Sequence, residues 1–90
     1  QPDILRLGGV EMWRNSAALA GSYHVDVLPH YYKDYDVPLL CTIPNGVGAE
    51  SFDWIDSLID RPLQIKNGMT TPHDLPGWGF NFKDEFLNEV

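Results

Sequence analysis

The chain predicts an α/β fold built on a parallel sheet, and three observations carry that reading. Residues 1–3, 25–28 and 48–52 read as short strands. Helical patterns over 10–23 and 37–43 separate them, and this alternation is the pattern of parallel strands joined by crossover helices. Each apolar run also stops at an ionisable side chain: Asp3, His30 and Glu50. In a barrel of parallel strands the C-terminal strand ends open on one face, where chemistry sits.

The elements follow in order. Gln1-Pro2-Asp3 reads as the end of a strand and 4–9 as a loop, with Gly8-Gly9 supplying the freedom for a sharp turn into a helix. Over 10–23, Trp13, Ser16, Ala17 and Ala20 fall at helical spacing and form a small apolar face suited to lying close on a sheet. Residues 25–28 form a strand ending at Pro29-His30. Residues 31–36 read as a polar, aromatic loop. Asp36 is expected to cap a helix over 37–43, with Pro38 tolerated in its first turn, and Pro44-Asn45-Gly46 stops it. The third strand holds Glu50.

From Asp53 the pattern changes. Residues 63–71 read as a β-hairpin around Asn67-Gly68, the preferred pair for a two-residue turn. Residues 72–79 read as irregular loop and 83–90 as a short terminal helix. The chain therefore divides into 1–54, a strand–helix–strand–helix–strand segment, and 55–90, a tail with a hairpin and a short helix.

Composition narrows the function. With 13 acidic against 6 basic residues the formal net charge is −7, and no basic cluster offers itself to nucleic acid. No apolar run reaches the length of a membrane span, and no signal-peptide pattern is visible. The single Cys41 cannot close an internal disulfide and lies in an apolar stretch, which fits a reducing, cytoplasmic setting. Two and a half strand–helix units can neither close a barrel nor cover both faces of a sheet. The opening Gln-Pro-Asp, without an initiator Met, adds to the expectation of a C-terminal piece of a longer protein; the alternative is a processed chain that folds alone.

Asp3-Ile4-Leu5-Arg6-Leu7-Gly8-Gly9-Val10, the Ala-rich helix, Val27-Leu28-Pro29-His30, Ile43-Pro44-Asn45-Gly46, Glu50-Ser51-Phe52, Asn67-Gly68-Met69 and Leu75-Pro76-Gly77-Trp78-Gly79-Phe80 resemble the enolase superfamily, and within it the mandelate racemase-like branch that includes acid-sugar dehydratases. The resemblance runs over essentially the whole chain. It implies strands six to eight of a TIM-type (β/α)7β barrel plus a tail returning to a capping domain. The spacings of 27 positions from Asp3 to His30 and 20 from His30 to Glu50 resemble the family's separations between its sixth-strand aspartate, seventh-strand histidine and eighth-strand glutamate.

The resemblance implies a lyase that abstracts the proton α to a carboxylate and dehydrates a hydroxylated, galactarate- or talarate-like sugar acid. His30 would be the general acid/base, since imidazole titrates near neutrality. Asp3 would accept a hydrogen bond from it and fix its tautomer; the alternative is an aspartate that caps the Gly8-Gly9 turn. Glu50 would donate to the substrate carboxylate, for which it must hold a proton; the alternative is a strand-end acid in an ion pair. Tyr31, with Tyr32 and Lys33, would lie over the barrel mouth within reach of substrate hydroxyls, or be solvated loop. Mg2+ is the implied cofactor, its ligands expected upstream of this segment with the second-strand base. The implied partners are the small-molecule sugar acid, the rest of the barrel and capping domain, and further copies in a homo-oligomer.

Other residues read as structural. Arg6 is expected to brace the backbone or form an ion pair, His24 and His73 to lie on the surface, and Cys41 and Trp13 in the core. Asp53, Asp56 and Asp60 read as a solvated acidic face. Two alternatives stay open: a racemase or epimerase, which needs a second base from a strand not present here, and a non-catalytic assembly module, inactive without metal ligands.

Overall fold

The computed structural model describes residues 1–87. Its elements are α1 (Ile4–Leu7), α2 (Val10–Ser22), α3 (Lys33–Leu40), a one-turn 3-10 helix at Asp56–Leu58 and α4 (Asp84–Leu87). Part of the expected terminal helix, 88–90, lies outside the described residues.

The expected loop at 4–9 contains a helical turn. Asp3 nucleates it by accepting from the N–H groups of Leu5 and Arg6 at 3.0 and 3.1 Å, the bonds of an N-cap. Gly8 ends the turn at φ 88° and Gly9 continues at φ 128°, left-handed conformations that a side chain would strain. α2 then starts at Val10 and buries Trp13 and Ala17 completely. Together with Ile4, Val27 and Leu39 they make the core beneath the candidate site. Leu19 and Tyr23, beside that face, are exposed.

Of the strands expected at 1–3, 25–28 and 48–52, the second pairs as placed, whereas its partner bridge falls at Gly46, ahead of 48–52. Val27 bridges Gly46 in parallel, through Val27 N–H to Asn45 O at 2.8 Å and Val47 N–H to Val27 O at 3.0 Å. His30 N–H donates to Pro2 O at 2.8 Å, so the 25–30 segment lies between 1–3 and 45–47. Among the described residues, pairing stops at isolated bridges and no continuous ladder forms. A strand is stabilised by neighbours along its length, and the 25–30 segment finds two bonds on one side and one on the other. Asn45 ties the layers together by donating to Ala17 O of α2 and to Val25 O.

Four expectations between His30 and Ile43 are corrected. The helix begins at Lys33 and ends at Leu40, so 33–36 is helix rather than loop. Asp36 stands inside it and does not cap it, and Pro38 falls in the second turn, where its missing N–H removes one helical bond. Cys41, expected in the core, is exposed at the helix end.

The tail packs back on α3. Ile59 bridges Phe82 antiparallel, Leu63 N–H donates to Asp34 Oδ1 at 2.8 Å, and Tyr35 meets Trp78 and Phe80 edge-on at 4.9 and 5.3 Å. The Asn67-Gly68 turn forms as expected: both residues take positive φ, 53° and 74°, and Lys66 and Met69 exchange backbone bonds of 2.8 and 2.9 Å. No described helix is long and apolar enough to cross a membrane.

Candidate active site

Asp3 and His30 meet side chain to side chain, with His30 Nδ1 2.7 Å from Asp3 Oδ2. The two carboxylate oxygens divide their work: Oδ1 accepts the two helical N–H groups of α1, and Oδ2 faces the imidazole. The capping and pairing readings of Asp3 therefore both hold as geometry. Burial works against the charge of Asp3, but the hydrogen bonds from His30, Arg6 and Leu5 outweigh it and hold the carboxyl below its ordinary range. An ionised Asp3 only accepts, so Nδ1 carries the proton and Nε2 is left as the basic nitrogen. The His30 side chain is 38% exposed, enough to be reached. Arg6, 84% exposed and 3.9 Å from Asp3, adds a weak, screened contact.

Glu50 reaches the same stretch of chain by another route. Its Oε1 accepts the backbone N–H of Tyr31 at 3.1 Å, the residue directly after His30. Tyr31 has φ 73°, a conformation rare for a bulky residue and held only where its surroundings compensate. The Glu50 bond is one such support. The other is stacking: the Tyr31 ring lies on Phe52 at 5.0 Å and 18°, with Tyr32 and Trp54 edge-on at 4.7 and 6.0 Å. Glu50 also lines a cleft of about 600 Å³ with Lys33, Val37, Ala49, Met69 and Thr70; His30 is not on its wall.

Lys33 is not a loop residue over an opening. It is 3% exposed, and its ammonium donates to Asp34 at 3.0 Å and to Asp56 at 2.6 Å. Burial would drive its proton off, but the bonds to Asp56 and Asp34 prevail and raise its pKa. Asp56 is thus an ion-pair partner, which corrects the solvated acidic face at that position; Asp60 stays exposed while accepting Asn81 N–H at 2.8 Å. His73, half-buried, contacts Arg61 O through Nε2 at 2.7 Å; His24 is exposed.

The residue that sequence reasoning missed is Asp36. Its exposure is 0%, and neither carboxylate oxygen has a hydrogen-bond partner among the described residues. Burial first, then the charges of Asp3 and Glu50, push its pKa up to about 8, against a smaller opposing pull from the backbone N–H of Tyr32. A polar residue at an apparent helix start reads as a cap, so only the three-dimensional placement exposes its burial.

Among the described residues, no group of three or more His, Cys, Asp or Glu side chains is arranged to hold a metal ion. Asp3 and Asp34 are spent on donors within the chain, and a hard cation needs several free, converging oxygens.

Comparison with known proteins adds an independent line. A family model for "Enolase C-terminal domain-like" proteins matches residues 1–86. L-talarate/galactarate dehydratase of Salmonella typhimurium (strain LT2) is 26% identical over 85 residues, covering 94% of this chain and 21% of that protein. The 3,6-anhydro-alpha-L-galactonate cycloisomerase of Streptomyces coelicolor is 25% identical over 91 residues, covering 100% and 25% respectively. The crystal structure of L-talarate dehydratase from Polaromonas sp. JS666, complexed with Mg and L-glucarate, matches with a TM-score of 0.89 at 25% identity, over 98% of this chain and 25% of that one. The chain thus spans about a quarter of the length of these relatives.

Proposed function

The chain belongs to the enolase C-terminal domain-like family, and on that premise we propose that it supplies the acid–base half of an active site that takes the proton α to the carboxylate of a hydroxylated sugar acid and dehydrates it to a keto acid. The observation that carries the reading is the 2.7 Å contact between Asp3 and His30, which leaves Nε2 free to act. Residues 1–54 are read as strands six to eight of the barrel with their helices, and 55–90 as the returning tail.

In this mechanism Nε2 of His30 accepts the α-proton, and Asp3 stabilises the imidazolium that results. The same imidazolium then gives its proton to the departing β-hydroxyl, which leaves as water. Asp3 keeps the ring in one orientation through both steps, so the proton need not wait for reorientation. Glu50, with Oε1 held by Tyr31 N–H, would take up a proton on its other oxygen when substrate binds and donate it in a hydrogen bond to the substrate carboxylate as negative charge builds there. Tyr31 borders the site beside His30, their ring centroids 6.0 Å apart. Magnesium, present in the Polaromonas relative, would supply charge stabilisation when bound; its ligands are expected upstream of this segment, and no step above depends on a residue of this chain holding it.

The similarity to a cycloisomerase favours one second reading: the same proton abstraction with a different fate for the intermediate. The test is a screen of the full-length protein with Mg2+ against a panel of acid sugars, following substrate loss and keto-acid formation. Keto acid from one or more diacids supports dehydration. Exchange or inversion at the α-carbon without loss of water supports the second reading. No exchange with any acid sugar overturns both.

A further inference from the structure

The backbone that follows His30 is unusual in a way the mechanism above does not use. Tyr31 has φ 73°, and the N–H of Tyr32 donates back to His30 O at 3.0 Å. A bond between residues two apart, closed over a central residue at φ of about +75°, is the rare and strained form of the γ-turn. Tyr32 follows with φ −88° and ψ 75°, and Lys33 N–H donates to Tyr31 O at 3.0 Å, which is the common inverse form. Two tight turns of opposite hand thus carry the chain from His30 into α3. The unfavourable one abuts the candidate base. Both sides of that turn are tied down. On one side, His30 N–H donates to Pro2 O at 2.8 Å. On the other, α3 is held by Leu39 in the core and by the Lys33 bonds to Asp34 and Asp56. Tyr31 itself is braced by Glu50 Oε1 on its N–H at 3.1 Å and by its ring stacked on Phe52 at 5.0 Å. At negative φ the chain would leave Tyr31 in another direction. With α3 fixed, that displacement would fall on His30.

We propose that Tyr31 is a positioning residue for His30: its strained turn, braced by Glu50 and Phe52, fixes the backbone that carries the imidazole and so keeps Nδ1 on Asp3. A residue held in a sparsely populated conformation persists only where its surroundings over-determine it, and here the surroundings are two residues of the same site. The ring of Tyr31 acts through its stacking on Phe52, and its hydroxyl is not required. Glu50 serves the base through the Tyr31 backbone, in addition to any contact of its own with substrate.

The catalytic consequence rests on the proposed proton transfer at His30; the positioning itself does not. The test is NMR of the full-length protein with ring-labelled histidine. It follows the His30 Nδ1–H proton, identified by its loss in His30→Asn, whose exchange with water reports how firmly the ring is held on Asp3. Tyr31→Phe keeps the stacking ring and is expected to exchange at the wild-type rate. Tyr31→Gly loses the ring but takes positive φ without steric cost. Tyr31→Ala loses the ring and keeps that cost, so it is expected to exchange about tenfold faster than Gly, the ratio set by a β-carbon in the left-handed region. Tyr31→Ser carries the same backbone cost should Ala not fold. A role in packing alone would reverse Gly and Ala, because alanine fills more space and leaves the unfolded chain less free. Exchange in Ala no faster than in Gly overturns the proposal. So does exchange in Phe as fast as in Ala, or a wild-type Nδ1–H that exchanges as freely as that of an exposed histidine. Where turnover is measurable, kcat should fall most in Ala, by up to about 10²-fold, with KM changing less. A raised KM at constant kcat would mean that the ring binds substrate, and would overturn the catalytic consequence. Variants that keep the exchange order in a protein that exchanges no acid-sugar α-proton would sink the functional reading and leave the positioning standing.

Discussion

Asp3 and His30, 27 positions apart, are joined twice: by the 2.7 Å side-chain contact and by the 2.8 Å backbone bond from His30 N–H to Pro2 O, next to Asp3. The backbone bond fixes the distance between the two segments. The side-chain bond then needs little further ordering, which is what preorganises an acid–base pair. Residues proposed for one function are here also residues of the fold, and substitutions separate the two roles.

The sharpest of these is His30→Asn in the intact protein. Asn keeps similar bulk but has no basic nitrogen. Loss of a positioned acid–base group costs about 10²–10⁴ in rate, and with the only base of this chain's pair removed the upper end is expected. Substrate affinity should stay within a few fold, because His30 acts on the proton. Exchange of the substrate α-proton in deuterated water, followed by NMR beside turnover, checks this. Exchange at the wild-type rate would remove His30 from the mechanism.

Asp3 allows a finer cut. Asp3→Asn retains an oxygen able to cap α1 but loses the charge that supports the imidazolium. Asp3→Ala loses both, and an N-cap lost to Ala costs about 1 kcal/mol. Turnover is expected to fall by about 10²–10⁴ in each, whereas thermal stability should fall clearly only in Ala. Wild-type turnover in Asp3→Asn would show that the contact with His30 serves the fold alone.

The parts of this site that were legible in the sequence are those set by short-range rules or by spacing. Asn67-Gly68 announces its turn because few residues take positive φ at both positions. Trp13 and Ala17 announce the buried stripe of α2 by their interval of four. Asp3 and His30 stood out by their position and separation. The legible part ends where a residue's partner is distant and unpatterned. Lys33 looks like an exposed loop cation until Asp56, 23 positions on, is brought to it. Asp36 looks like a cap because polarity before an apolar run is the signal for one, and the signal is silent on which way the chain turns. The expected strands reduce to single bridges because strand pairing depends on neighbours along the whole edge, which local sequence does not contain.

Glu50 separates hydrogen-bond acceptance from proton donation. Glu50→Gln keeps an oxygen for Tyr31 N–H and an amide donor for substrate, so part of the activity and nearly all of the stability should remain. Glu50→Ala leaves the Tyr31 N–H without its partner and withdraws a support from a strained residue. A lost partner of this kind costs about 1–3 kcal/mol when the group stays buried. Melting temperatures and turnover of the pair check this. Equal activity in Gln and Ala would dismiss the donor role.

Lys33 tests the buried ion pairs that hold the tail on α3. Lys33→Met fills similar space but strands Asp34, 1% exposed, without its cation. Breaking one partner of a buried pair costs about 3–5 kcal/mol. The loss should be visible in urea unfolding, and Asp34→Leu added to it should recover part of the stability. A neutral Lys33→Met would mean that the ammonium contributes no net stabilisation.

Asp36 predicts how stability changes with pH, by a route separate from catalysis. Its pKa in the fold is about 8, against 3.8 as the ordinary value. Below about pH 4 both folded and unfolded chains hold the proton and nothing is lost. Between about 4 and 8 the unfolded chain releases it while the folded chain retains it, so the folded state binds more protons and stability falls as pH rises. Above about 8 both are ionised and the loss levels off. Asp3 moves the other way, its contribution vanishing only as pH falls below the ordinary value of 3.8. Lys33 contributes up to its ordinary 10.5 and loses that only as pH passes its raised value. Neither therefore falls in the Asp36 window. Each unit of displacement is worth about 1.4 kcal/mol, so the penalty amounts to several kcal/mol before relaxation of the site reduces it. Asp36→Asn, which cannot ionise, should gain on the wild type as pH rises, with the two curves closest near pH 4 and furthest apart near pH 8. Urea unfolding of both proteins at pH 5 and pH 8 measures the gap, and a gap of equal size at the two pH values would show that Asp36 titrates as an ordinary surface acid.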